Sequence, residues 1–277
     1  MKGWIFVLFC FLPVLIFGEI ETRSTGKTGV VEELLITIRE ARAESARELT
    51  IVNSSEKNPK KVVWIFHGFK PKGDSYQQGA GFFIRNWMLS QLAIEEKLVV
   101  IIPDLDDGIF ALRPQAGPGI PVIRWLDFLN RQKILPEYGN APVILIGVSS
   151  GAESAMKFYQ TSGQAESMIL LSGTYDLFSL PKDSGEYNLH KIYLNPDPTG
   201  WTAENPVDFL KDSPGCPIYL FSEEKSIFQA QALCFLELCP KQFTVTHFLE
   251  LGTGFTHSWK FWANPPVQKE IRNILTK

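Results

Sequence analysis

Three residue types in this sequence could act on one bond: a glycine-framed serine, a late histidine and a carboxylate between them. The serine is Ser149 in Gly147-Val148-Ser149-Ser150-Gly151, and only Ser149 has glycine at both −2 and +2. That G-x-S-x-G string marks a sharp strand-to-helix turn that throws the serine out as a nucleophile. The same serines could instead cap a helix. A serine hydroxyl attacks poorly until a base removes its proton. His257, just past Gly252-Thr253-Gly254, is the candidate base. His190 lies in a Pro- and Tyr-rich segment. His247 alternates with Phe243, Val245, Leu249 and Leu251 and reads as a core histidine. The base needs a carboxylate to hold its tautomer and stabilise the imidazolium. Glu224 is assigned that role from Ser222-Glu223-Glu224-Lys225-Ser226, with Glu223 the near alternative and Asp176 an outside candidate. An exposed charged turn is the competing reading of the glutamates.

The elements that would position these groups can be read from hydrophobic patterning. Val62–Phe66, Leu98–Pro103, Val143–Val148, Met168–Leu171 and Ile218–Phe221 are apolar runs of strand length. Phe243–Leu251 reads as the last strand, and Glu33–Ile38 and Glu48–Asn53 as two opening ones. Helical patterns cover Gln77–Glu96, Ile120–Gln132, a stretch from Ser150 and Val267–Leu275. Strands apolar on both faces belong in a parallel sheet covered by helices. Alternating strands and helices then predict a doubly wound three-layer α/β/α sandwich with a mostly parallel sheet. Ligands in such sheets bind beyond the carboxyl ends of the strands. Ser149, the Glu223-Glu224 turn and His257 all fall there, in the order serine, acid, histidine.

At His257-Ser258-Trp259-Lys260-Phe261-Trp262 the sequence resembles the His-Ser-Trp-x-Tyr-Trp ending of the esterase D-like group of α/β-hydrolases. That group holds carbohydrate esterases, mycolyltransferases and thioester hydrolases. Gly173-Thr174-Tyr175-Asp176 resembles its Ser-Gly-x-x-Asp turn, and Trp201-Thr202-Ala203-Glu204-Asn205-Pro206 its Trp-x-x-x-(Ser/Asn)-Pro stretch. The resemblance runs from about Val62 to the C-terminus and implies the α/β-hydrolase fold. It also implies an oxyanion hole built from the backbone N–H groups of Ser150 and of Phe69, which follows His67-Gly68. His67 is expected to brace the loop. Two departures stand out. Ala152 replaces a second glycine, and no Asp occurs after Asp212, so a glutamate is expected to stand in for the usual acid.

Composition bounds the rest. The chain has 277 residues, 45% hydrophobic and 21% charged, with a formal charge of −3. Such a balance does not suit nucleic acid as a partner. Trp4–Phe17 is apolar but short for a membrane span, and with Lys2 before it reads as a signal segment covering residues 1–18. Residues 19–277 then form a single domain, secreted or periplasmic, with no stable membrane insertion. Export permits one disulfide among Cys216, Cys234 and Cys239, or three buried thiols. Asn53-Ser54-Ser55 is a glycosylation sequon. Asp104, Asp106 and Asp107 read as a solvated acidic turn rather than a metal site, and no cofactor is expected. The long segments Asp104–Gly119 and Asp176–Pro214 are expected to shape the pocket, residues 176–214 as a covering insertion.

The expectation is an exported serine hydrolase cleaving small-molecule, glycan or lipid esters through an acyl-enzyme. The rivals are an acyltransferase on the same site and an inactive binding protein on a hydrolase scaffold.

Overall fold

The apolar runs that do not alternate become the middle of one sheet. In the computed structural model of the chain, residues 19–40, 43–69, 79–105, 121–139, 141–249, 257 and 259–277 are described. The expected signal segment, Asp106, Asp107 and most of the loop after Asp104 lie outside the described residues. The described strands are β1 (Glu19–Thr28), β2 (Val31–Glu40), β3 (Ala43–Val52), β4 (Lys61–Phe66), β5 (Leu98–Pro103), β6 (Val143–Val148), β7 (Ser167–Leu171), β8 (Pro217–Ser222) and β9 (Thr244–Leu249). They form a nine-stranded sheet in the order β1-β2-β3-β5-β4-β6-β7-β8-β9. The hairpins β1–β2 and β2–β3 and the pair β3–β5 are antiparallel; from β5 to β9 every pairing is parallel.

Successive side chains of each central strand enter opposite cores, which is why these strands read as continuous apolar runs. On one face Trp64, Phe66, Leu145 and Leu170 meet α3 (Val122–Leu129), α4 (Ser150–Ser162) and α6 (Ile227–Leu238). On the other, Val63, Ile65, Ile146 and Leu171 meet α1 (Ala80–Asn86), α2 (Leu89–Glu95), α7 (Trp259–Trp262) and α8 (Pro265–Leu275). The three layers and the mostly parallel sheet are those the sequence leads one to expect.

Three differences have local causes. The first strand, β1, is absent from the sequence reading because nearly all of it is exposed and it carries little alternation. Its first residues are tied to the sheet by Arg39 of β2, which reaches Glu21 at 3.1 Å and Glu44 of β3 at 2.8 Å. The helix expected over Gln77–Glu96 is broken into α1 and α2 by Met88, whose φ of 49° is left-handed. The sequon at Asn53 is closed: the buried amide donates to Ala93 O at 3.2 Å and Leu98 O at 3.0 Å. An amide nitrogen committed in this way holds a left-handed turn (φ 63°) and is not presented to a glycosylating enzyme.

The Asp176–Pro214 insertion is folded. It holds α5 (Gly185–Tyr193) and short 3₁₀ segments at Leu177–Ser179, Pro198–Glu204 and Pro206–Leu210. Leu177, Leu180, Leu194 and Trp201 form a small core of its own, with Phe69, Tyr187 and Tyr193 packed against it.

Candidate active site

β6 runs into α4 with a single residue between them, and that residue is Ser149. Its φ of 55° and ψ of −128° are strained for a side chain with a Cβ. The flanking glycines make the turn possible. A methyl on Gly147 would meet Ala152 Cα at 2.4 Å, and one on Gly151 would meet Phe66 O at 2.0 Å. The helix therefore starts hard against the ends of β6 and β4. Its N-terminal end, where backbone N–H groups lead and the dipole is positive, lies beside the serine.

His257 comes to this turn from the far side of the sheet. Ser149 Oγ and His257 Nε2 are 2.9 Å apart. The other ring nitrogen, Nδ1, lies 3.3 Å from Glu223 Oε1. The first contact is a hydrogen bond and the second a close approach, in the order expected of a nucleophile, its base and an orienting carboxylate. Glu223 is 1% exposed, and neither of its oxygens nor His257 Nδ1 has a hydrogen-bond partner among the described residues, so the 3.3 Å approach is an ion-pair contact rather than a hydrogen bond. A buried carboxylate in that state is stabilised most when His257 carries the proton.

Glu224, expected as the acid, is not the carboxylate beside His257; its neighbour Glu223 is. β8 ends at Ser222, and Glu223, the first residue beyond it, is buried at the sheet's carboxyl edge. Glu224 is exposed. Lys225 then turns the chain with a φ of 57°, and Ser226 caps α6 by accepting from Gln229 N at 3.1 Å. So short a turn leaves no length for Glu224 to fold back. Asp176 is occupied elsewhere: its Oδ1 accepts from Asn205 Nδ2 at 3.0 Å, while Gln231 binds the backbone on both sides of it.

The remaining histidines are structural. His67 is fully buried; its Nε2 accepts from Leu105 N at 2.9 Å and its Nδ1 faces Gly68 O at 2.7 Å. It ties the loops after β4 and β5 together, as a brace would. His247 is half-buried on the edge strand β9 rather than in the core. Its Nε2 meets Ser222 Oγ at 2.8 Å, and burial lowers its pKa. His190, on α5, is buried against Glu153 of α4 at 3.5 Å. Burial raises the Glu153 pKa despite the opposing pull of His190. Burial works against a charged His190, but Glu153 and the neighbouring Glu186 together raise its pKa.

Gly68 and Phe69 follow β4 after His67, and Gly68 abuts Ser149. The Phe69 ring lies 6.5 Å from that of Tyr193, so the insertion reaches the loop beside the nucleophile. Two rings contact His257: Trp262 of α7, the last residue of the His257-to-Trp262 ending, and Phe228 of α6, which is absent from the sequence reading. An apolar residue in an apolar helix gives no signal of such a role. Glu153 did leave a signal, an acid on the otherwise apolar buried side of α4.

Cys216, Cys234 and Cys239 are all free thiols. Burial pushes Cys216 up to about 11 and Cys239 up to about 12, so neither is a thiolate near neutral pH. Among the described residues there is no group of three or more potential metal ligands, and no helix is long and apolar enough to cross a membrane.

No family model and no curated protein matches this sequence. Solved structures do match its fold, which is that of the α/β-hydrolases, and the neighbours are S-formylglutathione hydrolases and esterases. An S-formylglutathione hydrolase from Agrobacterium tumefaciens is 14% identical with a TM-score of 0.60, covering 92% of this chain and 98% of its own. The fluorophosphonate-binding serine hydrolase F of Staphylococcus aureus is 16% identical with a TM-score of 0.62, covering 90% and 98%. A fungal esterase from Rhizomucor miehei is 14% identical with a TM-score of 0.58, covering 93% and 82%.

Proposed function

We propose that this chain is an exported serine hydrolase that cleaves carboxylic esters through an acyl-enzyme. The observation that carries the reading is the relay from Ser149 Oγ to His257 Nε2 at 2.9 Å, with Glu223 3.3 Å from the opposite ring nitrogen. Ser149 attacks the ester carbonyl carbon as His257 Nε2 takes its proton. Glu223 stabilises the imidazolium through Nδ1. The negative oxygen of the tetrahedral intermediate is received by the N–H groups of Ser150, at the head of α4, and of Phe69. The intermediate collapses, His257 protonates the departing alcohol, and Ser149 holds the acyl group. Water, deprotonated by the same histidine, then releases the carboxylic acid and restores the serine.

Export rests on the apolar run Trp4–Phe17 behind Lys2. The neighbours named as an S-formylglutathione hydrolase and as esterases support an acyl group on an oxygen or sulfur leaving group. The test is a fluorophosphonate probe beside a panel of p-nitrophenyl and thiol esters. The wild type should be labelled on Ser149 and turn over esters; Ser149→Ala should do neither. An unlabelled, inactive wild type would leave a binding protein on a hydrolase scaffold. Product that accumulates on an added alcohol faster than on water would make it an acyltransferase. N-terminal sequencing of exported protein should find a start near Glu19.

A further inference from the structure

Nε2 of His257 is hydrogen-bonded to Ser149, whereas Nδ1 only approaches Glu223 at 3.3 Å without a hydrogen bond. A ring held at one nitrogen can still swing and tilt about that contact. Tilt moves the Nε2 lone pair off the serine and off the leaving-group oxygen. Neither Glu223 oxygen has a hydrogen-bond partner among the described residues, so the carboxylate alone cannot set the plane.

An aromatic ring lies on the face of the imidazole. Phe228 stacks on His257 with centroids 3.7 Å apart and an angle of 21° between the planes. Trp262 meets the same imidazole edge-to-face, 5.2 Å away at 84°. Phe228 is 4% exposed, so the stack is not a surface accident. Trp262 is itself held: its backbone oxygen accepts from Trp87 Nε1 at 3.1 Å, its Nε1 reaches Ser172 Oγ at 3.4 Å, and Phe82 packs on its ring.

We infer that Phe228 is a positioning residue for the base, its ring fixing the plane of His257 for proton transfer while Trp262 meets the imidazole edge-to-face. This rests on the serine-hydrolase reading of the site. The same short turn delivers both the acid and the ring. Ser226 donates to Glu223 O at 3.0 Å and caps the helix whose second residue is Phe228. One turn between β8 and α6 thus sets the carboxylate at Nδ1 and the phenyl face against the ring. The stack also gains strength when it is needed. An aromatic face attracts a cation, so Phe228 favours the imidazolium that forms as Ser149 attacks more than the neutral ring before it.

The experiment measures p-nitrophenyl acetate turnover in the full chain. Phe228→Leu and Phe228→Met keep apolar volume and remove the face; Phe228→Tyr keeps the face. Phe235→Leu is the control, since Phe235 lies on the same helix and packs on Tyr175 instead. Loss of the face should lower kcat by about 10- to 100-fold with KM within about threefold, since small misplacements of a catalytic group cost about that much. Phe228→Tyr should recover most of kcat. Phe235→Leu should lower Tm and leave kcat of the folded fraction near wild type. Using two face-removing variants keeps the test open if one folds poorly. A Phe228→Leu or Phe228→Met enzyme with wild-type kcat overturns the inference alone. So does a loss that appears in KM, follows Tm as in Phe235→Leu, or is not restored by tyrosine. If the wild type is neither labelled at Ser149 by a fluorophosphonate nor active, this inference and the hydrolase reading fall together.

Discussion

Two buried glutamates, Glu223 and Glu153, each face a histidine across nearly the same gap, 3.3 Å to His257 and 3.5 Å to His190. Both carboxylates are 1% exposed. The histidines differ. The second nitrogen of His257 meets a serine hydroxyl, and a quarter of its side chain is open. The second nitrogen of His190 is spent on the Glu186 carbonyl at 2.7 Å, and its side chain is 4% exposed. A buried glutamate–histidine pair is therefore not chemistry by itself. It becomes a proton relay when the outer nitrogen is left to a nucleophile and to substrate. When that nitrogen is tied to backbone, the pair is a fastener, here joining α5 of the insertion to α4.

The largest effect should separate the two histidines. Ser149→Ala and His257→Ala should each cut turnover by about a million-fold with the fold intact, because such groups act as a unit. His190→Ala should keep the chemistry of its folded fraction. Comparable kcat losses in well-folded His257→Ala and His190→Ala would erase the distinction.

The next effect separates the adjacent glutamates. Glu223→Gln should cost up to about ten-thousand-fold in kcat, since an amide neither fixes the productive tautomer nor stabilises the imidazolium. Glu224→Gln, on an exposed side chain, should stay within about twofold. The reverse pattern in a steady-state assay would return the acid to Glu224. A smaller effect falls on stability. His190→Ala leaves Glu153 buried without its partner and should cost about 3–5 kcal/mol in urea unfolding. Replacing both residues with apolar ones should cost much less than the single change.

Sequence alone reached Ser149, His257 and the sheet that carries them, because their signals are local. A strand that stops at glycine before a helix, and a histidine past the last strand, can be read without knowing what packs where. The acid could not be read to the residue. Two glutamates in a row point to opposite sides, and only the left-handed Lys225 and the cap at Ser226 decide which enters the site. Nothing in a lysine announces a positive φ. The Glu153–His190 pair was invisible for a different reason. Its members are far apart in the chain, and only the folded insertion brings them together. Strand β1 went unread because its order comes from pairing with β2, not from an apolar face of its own.

The finest test of the comparison is the pH dependence of stability. The pKa values of Glu153 and His190 are both raised above their ordinary values of 4.5 and 6.5. For each group the folded state therefore holds more proton than the unfolded state over the range between those values and the raised ones. Stability then falls as pH rises through that range, since its slope follows protons bound unfolded minus protons bound folded. The contribution of His190 is fully present below 6.5 and is lost as pH climbs through its raised folded value. For Glu153 the decline begins above 4.5. One whole proton of difference gives a slope of about 1.4 kcal/mol per pH unit, the ceiling for either group. Urea unfolding from pH 5 to 9 should show this decline in the wild type and a flatter curve in a Glu153→Leu/His190→Leu double variant. The insertion packs on the loop beside Ser149 through Phe69 and Tyr193, so its loosening should register at α5 by hydrogen exchange before the sheet opens. A double variant with the wild-type slope would show that the pair does not titrate over this range. The fastener would then act by packing alone.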